Sequence, residues 1–291
     1  HAGERFGFRF CSTDADEVLD NGDINAIVIA TRHNLHASQT IRALERGKHV
    51  FVEKPLCLTR EELDAVRAAY ESRRGQLLMV GFNRRFAPMS IALKEHFPVE
   101  PLMIHYRVNG GFVARTEWVQ GAEGGGRLIG EGVHFIDWAV WLTGSVPESV
   151  QAIAADNAGR YNDDNLSVQI RFANGSVFQL LYVASGDRAI GKERIEVHGG
   201  GRSAILEDFR RLELTRNGRR RVERSVLRAD KGHRAEMAAF IDAIRNGAPS
   251  PIPFDEIVTS TEATFAAAGA ACGRPTPDAD SGRRRPPLQE S

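Results

Sequence analysis

The stretch Ala26-Ile27-Val28-Ile29-Ala30-Thr31-Arg32-His33-Asn34-Leu35-His36 opens with a short, unbroken apolar run and turns at once into a polar cluster. The same order returns at His49-Val50-Phe51-Val52-Glu53-Lys54-Pro55, and again at Leu77-Leu78-Met79-Val80-Gly81-Phe82-Asn83-Arg84-Arg85. Apolar runs of this length without a polar interruption are strands buried on both faces. Helical patterns separate them. Leu35–Arg46 is closed by Gly47, Thr59-Arg60-Glu61-Glu62 is a capping box opening a helix that ends near Arg74-Gly75, and Pro88–Phe97 follows the third strand. Strands joined through helices pair in parallel by right-handed crossovers, so this region is expected to be a doubly wound α/β domain.

After Pro98 the pattern changes. Met103–Val108, Ser149–Ala155, Ser167–Phe172, Val177–Val183, Arg194–Val197 and Ala204–Leu206 read as strands, and Ala173-Asn174-Gly175 and Arg216-Asn217-Gly218 as tight turns. One long helix, Arg127–Leu142, interrupts this expected antiparallel sheet, and two more, His233–Arg245 and Asp255–Ala271, follow it. The expected layout is therefore a Rossmann-type α/β domain over residues 1–98 and an α+β domain with a large, mostly antiparallel sheet over 99–273. The Pro-, Arg- and Ser-rich segment 274–291 is expected to be a disordered tail.

Composition narrows the function. Lys+Arg and Asp+Glu both number 38, which leaves no overall footprint for nucleic acid or an anionic membrane. No apolar run approaches the roughly 20 residues that span a bilayer. Cys11, Cys57 and Cys272 lie far apart and match no metal or redox spacing, as suits a cytoplasmic protein. His33 and His36 have a spacing that a metal could use, yet no further ligands cluster beside them, and no metal is expected.

Chemistry collects in two places. Open parallel sheets bind ligands beyond the carboxyl ends of their strands, where the three polar clusters fall. The helix carries the second group, Gly124-Gly125-Gly126-Arg127-Leu128-Ile129-Gly130-Glu131-Gly132-Val133-His134-Phe135-Ile136-Asp137. At α-helical spacing Gly130, Glu131, His134 and Asp137 share a face. Glycine inside a helix costs roughly 1 kcal/mol relative to alanine, which a close approach by substrate or neighbouring backbone would explain. Gly199-Gly200-Gly201 stands between two strands and reads as a turn, Asp163-Asp164-Asn165 as turn chemistry, and Trp138 and Trp141 as core.

At Ala30-Thr31, Glu53-Lys54-Pro55 and the glycine-rich helix ending in His134, the chain resembles the glucose-fructose oxidoreductase, inositol dehydrogenase and rhizopine-catabolism (Gfo/Idh/MocA) superfamily over residues 1–272. The resemblance implies NAD or NADP as cofactor and hydride transfer to or from a secondary alcohol of a sugar, cyclitol or nucleotide sugar. It assigns Lys54 to the reacting hydroxyl and Glu53 to the cofactor ribose. Thr31, Asn34, Leu35, His36, Lys54, Pro55 and Asn83 are to line the cofactor. His134 is to be the acid/base, with a pKa near neutral suiting that task. Many relatives carry an aspartate four residues before this histidine; here Gly130 occupies that position, with Glu131 beside it as a third catalytic candidate.

The run Glu123–Arg127 with Gly130-Glu131 looks most like a subgroup fused behind a zinc-dependent alcohol-dehydrogenase-like module. The family's first strand and G-x-G-x-x-G turn have no counterpart in the chain, which is expected to be N-terminally truncated and to grip the cofactor's pyrophosphate weakly. Alternatives are an NAD-dependent glycosidase of the same superfamily and a non-catalytic sugar or NAD(P) sensor, although a sensor needs no Lys54–His134 proton relay. Expected partners are a small sugar-like molecule and a second copy of the chain, through the second-domain sheet.

Overall fold

The computed structural model describes residues 2–273 apart from 74, 99–100, 157–158, 163 and 226–227. The segment 274–291 and Asp163 of the expected turn lie outside the described residues. Two short helices, α1 (Ala2–Phe6) and α2 (Ala15–Leu19), precede the first sheet. The three apolar runs form parallel strands β1 (Ala26–Ile29), β2 (His49–Val52) and β3 (Leu78–Val80) in the order β1-β2-β3, with Val28 opposite Phe51 and Phe51 opposite Met79. Every residue of β3 is buried, as an uninterrupted apolar run requires when both faces are covered. β1 is an edge strand, and its Val28 is 55% exposed.

Helices α3 (His36–Glu45) and α4 (Arg60–Ser72) make the crossovers. Thr59 caps α4 by accepting from Glu62 N at 3.2 Å, but the Glu62 carboxylate accepts from Leu58 N at 2.7 Å, so the return bond of the capping box closes one residue early. Helix α5 (Pro88–His96) starts on a proline, whose missing N–H costs nothing in a first turn.

The second sheet has eight strands: β4 (Met103–Asn109), β5 (Pro147–Ala154), β6 (Leu166–Phe172), β7 (Val177–Val183), β8 (Glu193–Gly199), β9 (Arg202–Glu207), β10 (Arg211–Arg216) and β11 (Arg219–Arg224). Their order is β11-β10-β9-β8-β4-β7-β6-β5, antiparallel except where β4 runs parallel to β7. Inward positions alternate along each strand, so Tyr106, Val108, Ile170, Phe178 and Leu180 meet Phe135 and Trp138 of α6 (Val133–Thr143) on one face. Trp138 is core, with its indole N–H on Ser90 Oγ at 2.9 Å, as the sequence indicated.

Two helices do not respect the chain boundary. Helix α7 (His233–Asn246) and the first turns of α8 (Phe254–Ala271) follow the large sheet in sequence, yet Phe240, Ile252, Ile257 and Val258 join the core of the first sheet. Farther along α8, Ala263 and Ala267 belong to the core of the second. One helix thus serves both halves.

Buried charge sits at this seam. Arg85 binds Asp137 of α6 through Nε at 3.0 Å and Nη2 at 2.5 Å, and Glu256 of α8 through Nη1 at 2.6 Å. Arg85 and Asp137 are almost wholly excluded from water. Glu236 on α7 is also buried, its Oε2 without a partner among the described residues. Burial first, and then the nearby Glu53, push its carboxyl up to about 8.

Replacing Arg85 by Met is expected to lower the unfolding free energy by about 3–5 kcal/mol, because it strands Asp137 as an uncompensated buried charge. Denaturant unfolding measures the loss, and adding Asp137→Leu should recover most of it. Glu236 gives a second expectation. The unfolded chain releases that proton near pH 4.5 and the folded chain holds it to about 8, so the group costs stability as pH rises across that interval. Glu236→Gln should therefore melt above the parent at pH 8, the difference vanishing below pH 4.5. Equal melting at pH 8 would show that the carboxyl is not held protonated.

Candidate active site

The carboxyl ends of β1, β2 and β3 make one rim, and a loop of the second domain is strapped onto it. Asn34 N donates to Glu123 O at 3.0 Å, and Arg32 pairs with Glu123 while its guanidinium lies over the ring of Trp118. The His33 ring meets Trp118 edge-on at 4.9 Å, and its Nδ1 is 2.8 Å from Gly124 O. Burial lowers the His33 pKa to about 4 against the opposing pull of that carbonyl, so the ring is neutral at neutral pH. His36 is fully buried, with Nδ1 2.7 Å from Pro55 O and Nε2 3.1 Å from Thr31 O. It braces the ends of β1 and β2 against each other, beneath the rim that the sequence assigned to the cofactor.

The helix of the second domain does not begin as an α-helix. Leu128–Gly132 form a π turn in which Val133 N–H reaches back to Leu128 O, and α6 starts only at Val133. A π turn inserts a residue into the helical register. The spacing from Gly130 and Glu131 to the residues of α6 is thereby no longer α-helical, whereas His134 and Asp137 keep theirs within α6. Gly130, Glu131 and His134 line the cavity, whereas Asp137 lies in the seam with Arg85. A Cβ on Gly130 would stand 2.9 Å from His33 Cε1 and 3.3 Å from Gly124 O, so a neighbouring ring and a neighbouring backbone both account for that glycine. Its carbonyl accepts from Lys54 Nζ at 2.8 Å.

The titratable groups divide cleanly. Burial lowers the Lys54 pKa, with Glu131 and Glu53 opposing. Burial also drives His134 well below its ordinary value, and Arg84, Lys54, His233 and Lys192 push the same way. The near-neutral pKa expected from the sequence is not met, because burial first and then the cations around the ring disfavour its charged form. His134 is a neutral imidazole whose Nδ1 has no partner among the described residues. Glu131 is the opposite case. Burial raises its carboxyl, but Lys192 at 2.6 Å, Tyr182 OH at 2.6 Å and Arg127 at 2.7 Å hold it at about 2. Such a carboxylate has no capacity left for proton transfer, and it serves to hold two cations in place.

A second carboxylate repeats this arrangement. Glu193 accepts from Arg84 Nε at 2.8 Å and Nη2 at 3.0 Å, from Tyr106 OH at 2.6 Å and from Lys231 Nζ at 2.5 Å. Burial raises this carboxyl too, and Arg84 and Lys231 hold it at about 2. Between the two networks lies a cavity of about 500 Å³ bounded by Lys54, Arg84, Arg127, Glu131, His134 and Lys231, with Trp118 and His33 on its rim side. That volume is within the usual range for small-molecule sites.

The structure brings Lys54, Glu131, His134 and Asn83 to this cavity. Asn83 donates from Nδ2 to Lys231 O at 2.8 Å. Thr31, Asn34 and Leu35 are exposed along the rim, and Pro55 is buried beneath it. Glu53 is half-buried, its carboxylate without a hydrogen-bond partner among the described residues, and Gly81 makes room for it, since a Cβ there would lie 3.2 Å from Oε2. Sequence reasoning missed Lys192, Glu193, Tyr182, Lys231 and Glu236. Lys192-Glu193-Arg194 reads as an ordinary charged strand entrance, and nothing local tells that Arg84 folds back onto it.

The first residues match the family model described as oxidoreductase family, NAD-binding Rossmann fold, over residues 1–82. The model for that family's C-terminal alpha/beta domain matches residues 100–273. The chain is 29% identical to levoglucosan dehydrogenase of Pseudarthrobacter phenanthrenivorans over 73% of its own length and spans 63% of that relative. It is 30% identical to inositol 2-dehydrogenase of Rhizobium meliloti, covering 84% of this chain and 76% of that protein. A solved structure of levoglucosan dehydrogenase in complex with NADH and levoglucosan superposes with a TM-score of 0.78 at 25% identity, over 94% of this chain and 84% of the other. A nucleotide domain with parallel strands, a mostly antiparallel second sheet and a cavity between them agree with these matches: the chain belongs to the Gfo/Idh/MocA oxidoreductase family.

Proposed function

We propose that this chain is a nicotinamide-dependent dehydrogenase of a secondary alcohol on a sugar or cyclitol. One observation carries the reading: a lysine ammonium and a neutral, unpartnered histidine share the wall of a cavity at the carboxyl edge of a parallel sheet. The names of the relatives, inositol 2-dehydrogenase and levoglucosan dehydrogenase, support the substrate class.

The rim suits the nicotinamide half of a dinucleotide. Exposed Thr31, Asn34 and Leu35 offer polar and apolar contact, and the unpartnered Glu53 carboxylate can accept from ribose hydroxyls. Among the described residues no strand is followed by a G-x-G-x-x-G turn, so the fit concerns that half. When bound, the nicotinamide ring supplies the hydride acceptor. Lys54 Nζ donates to the reacting oxygen and stabilises the charge that builds there as the proton leaves. His134, uncharged, takes that proton. Glu131 keeps Arg127 and Lys192 fixed beside them, and the Arg32–Glu123 pair with Trp118 ties the second-domain loop to the rim. NAD and NADP are both compatible with this arrangement. Likeness in the run Glu123–Glu131 supports a place in the subgroup fused to a zinc-dependent alcohol-dehydrogenase-like module. Self-association is proposed through the open face of the large sheet, where Arg194, Glu196, Glu207 and Arg211 form a ladder of ion pairs. No helix among the described residues is long and apolar enough to cross a membrane, and we place the protein in the cytoplasm.

Reduced nicotinamide should appear when the chain is incubated with NAD or NADP and a panel of cyclitols and sugars; sugar release without net reduction would favour glycosidase chemistry instead. Lys54→Met is expected to keep melting temperature and cofactor affinity while kcat falls by about 10²–10³, the usual effect of losing one such donor. Retained kcat would remove Lys54 from the chemistry. His134→Gln should cost about 10²–10⁴. Because the pKa of this imidazole lies below 6.5, the base stays available as pH falls through that value. The acid limb of kcat/KM should therefore lie below pH 6.5 in the parent and disappear in the variant. A limb above that value would assign the proton to another group.

A further inference from the structure

We infer that the substrate of this cavity is an anionic sugar, carrying a carboxylate on or beside the carbon chain that is oxidised. The inference rests on the dehydrogenase reading and deepens it. Four cations line the cavity, Lys54, Arg84, Arg127 and Lys231, and a fifth, Lys192, touches Glu131 at 2.6 Å. Two carboxylates answer them, and each is shared by a pair of cations: Glu193 by Arg84 and Lys231, Glu131 by Arg127 and Lys192. Among the described residues Lys54 hydrogen-bonds to the Gly130 carbonyl alone. The formal surplus is three positive charges, or two if the half-buried Glu53 on the cofactor side is included.

Two further buried carboxyls close to the cavity leave that surplus unchanged. Asp137 is spent on Arg85, and Glu236 holds its proton at neutral pH. Uncompensated charge in a part-buried wall is costly, and complementary charge on a ligand offsets the cost. Burial first, and then Arg84, Lys54 and Lys192, lower the His134 pKa, so the cations of this wall act on the ring that faces the cavity. A neutral polyol would leave it unanswered. The cofactor's diphosphate is not the natural occupant, because dinucleotide phosphates bind at a helix N-terminus after a glycine turn, whereas these cations surround Lys54 and His134. A carboxylate also suits the donors, since the Lys54 and Lys231 ammoniums each have three N–H groups and the described residues take one from each, through Gly130 O and Glu193.

The test uses the whole chain with NAD and NADP, and compares kcat/KM for hexuronates and aldonates with that for the matching neutral sugars, sugar phosphates and a nucleotide sugar. Calorimetry with the same acids in the absence of cofactor runs in parallel. The acids should be preferred by about 10- to 100-fold, the usual worth of hydrogen bonds to a charged group, and the preference should shrink with added salt. In Lys231→Gln, where Arg84 and Tyr106 still hold Glu193, the acid-to-neutral ratio should fall by about 10-fold or more through KM. Preference for neutral sugars, for phosphates or for the nucleotide sugar overturns the inference and leaves the dehydrogenase reading standing, as does an unchanged ratio in Lys231→Gln. Calorimetric binding of the acids with no reduced nicotinamide formed upholds the anion site and removes the dehydrogenase reading.

Discussion

An ammonium taken out of water at the end of a buried strand needs an acceptor, and in this molecule the acceptor comes from the other domain. Lys54 Nζ rests on Gly130 O at 2.8 Å, and much of the surrounding architecture keeps those two atoms together. The π turn over Leu128–Gly132 presents that carbonyl. The missing side chain at Gly130 lets the His33 ring lie against it, and His33 in turn meets Gly124 O, which fixes the loop leading into the turn. On the strand side, the fully buried His36 spans the carbonyls of Thr31 and Pro55, so the segment bearing Lys54 is braced from below. An alanine at position 130 would therefore disturb a histidine, a loop and a lysine together.

Around this contact the molecule separates two kinds of titratable group. Carboxylates with three or four donors, Glu131 and Glu193, are fixed as anions and act as struts. Groups lacking such partners, His134 and Glu236, are held neutral by burial and by the charges around them. Electrostatic preorganisation of this sort costs little when the reaction occurs, because the dipoles and charges already point where they are needed. It also sets Glu131, next to Gly130 and held as an anion by three donors, apart from the neutral His134. Its oxygens are already committed.

Much of the first domain was legible because each element there follows local rules. Unbroken apolar runs gave β1 to β3, Thr59 marked the start of α4, and the strand ends named the rim. The large sheet was legible where apolar residues alternate, as in β7. It was missed at β10 and β11: Arg211-Leu212-Glu213-Leu214-Thr215-Arg216 alternates but offers only two apolar residues, the following strand has Val222 alone, and only the turn between them stood out. The cavity was half legible. Lys54 and His134 stood at recognisable places, but the π turn changed which neighbours share their wall. The cationic surplus was invisible, because Arg84 meets Glu193 and Lys54 meets Gly130 across long sequence separations that only folding brings together.

Helix α8 has a consequence for how such an enzyme can change over time. Its first turns complete the core of the nucleotide sheet, and its later turns complete the core of the large sheet. The covalent boundary after Pro98 is therefore not a physical one. A recombination that exchanged everything beyond that point would bring in a new substrate cavity together with a foreign Phe240, Ile257 and Val258 to pack against Phe51 and its neighbours. Graft compatibility would be decided in the core of the first sheet as much as in the cavity. Lineages descending from this architecture should consequently acquire new substrates by altering residues around Arg84, Lys192 and Lys231 in place, while the two halves are inherited as one block.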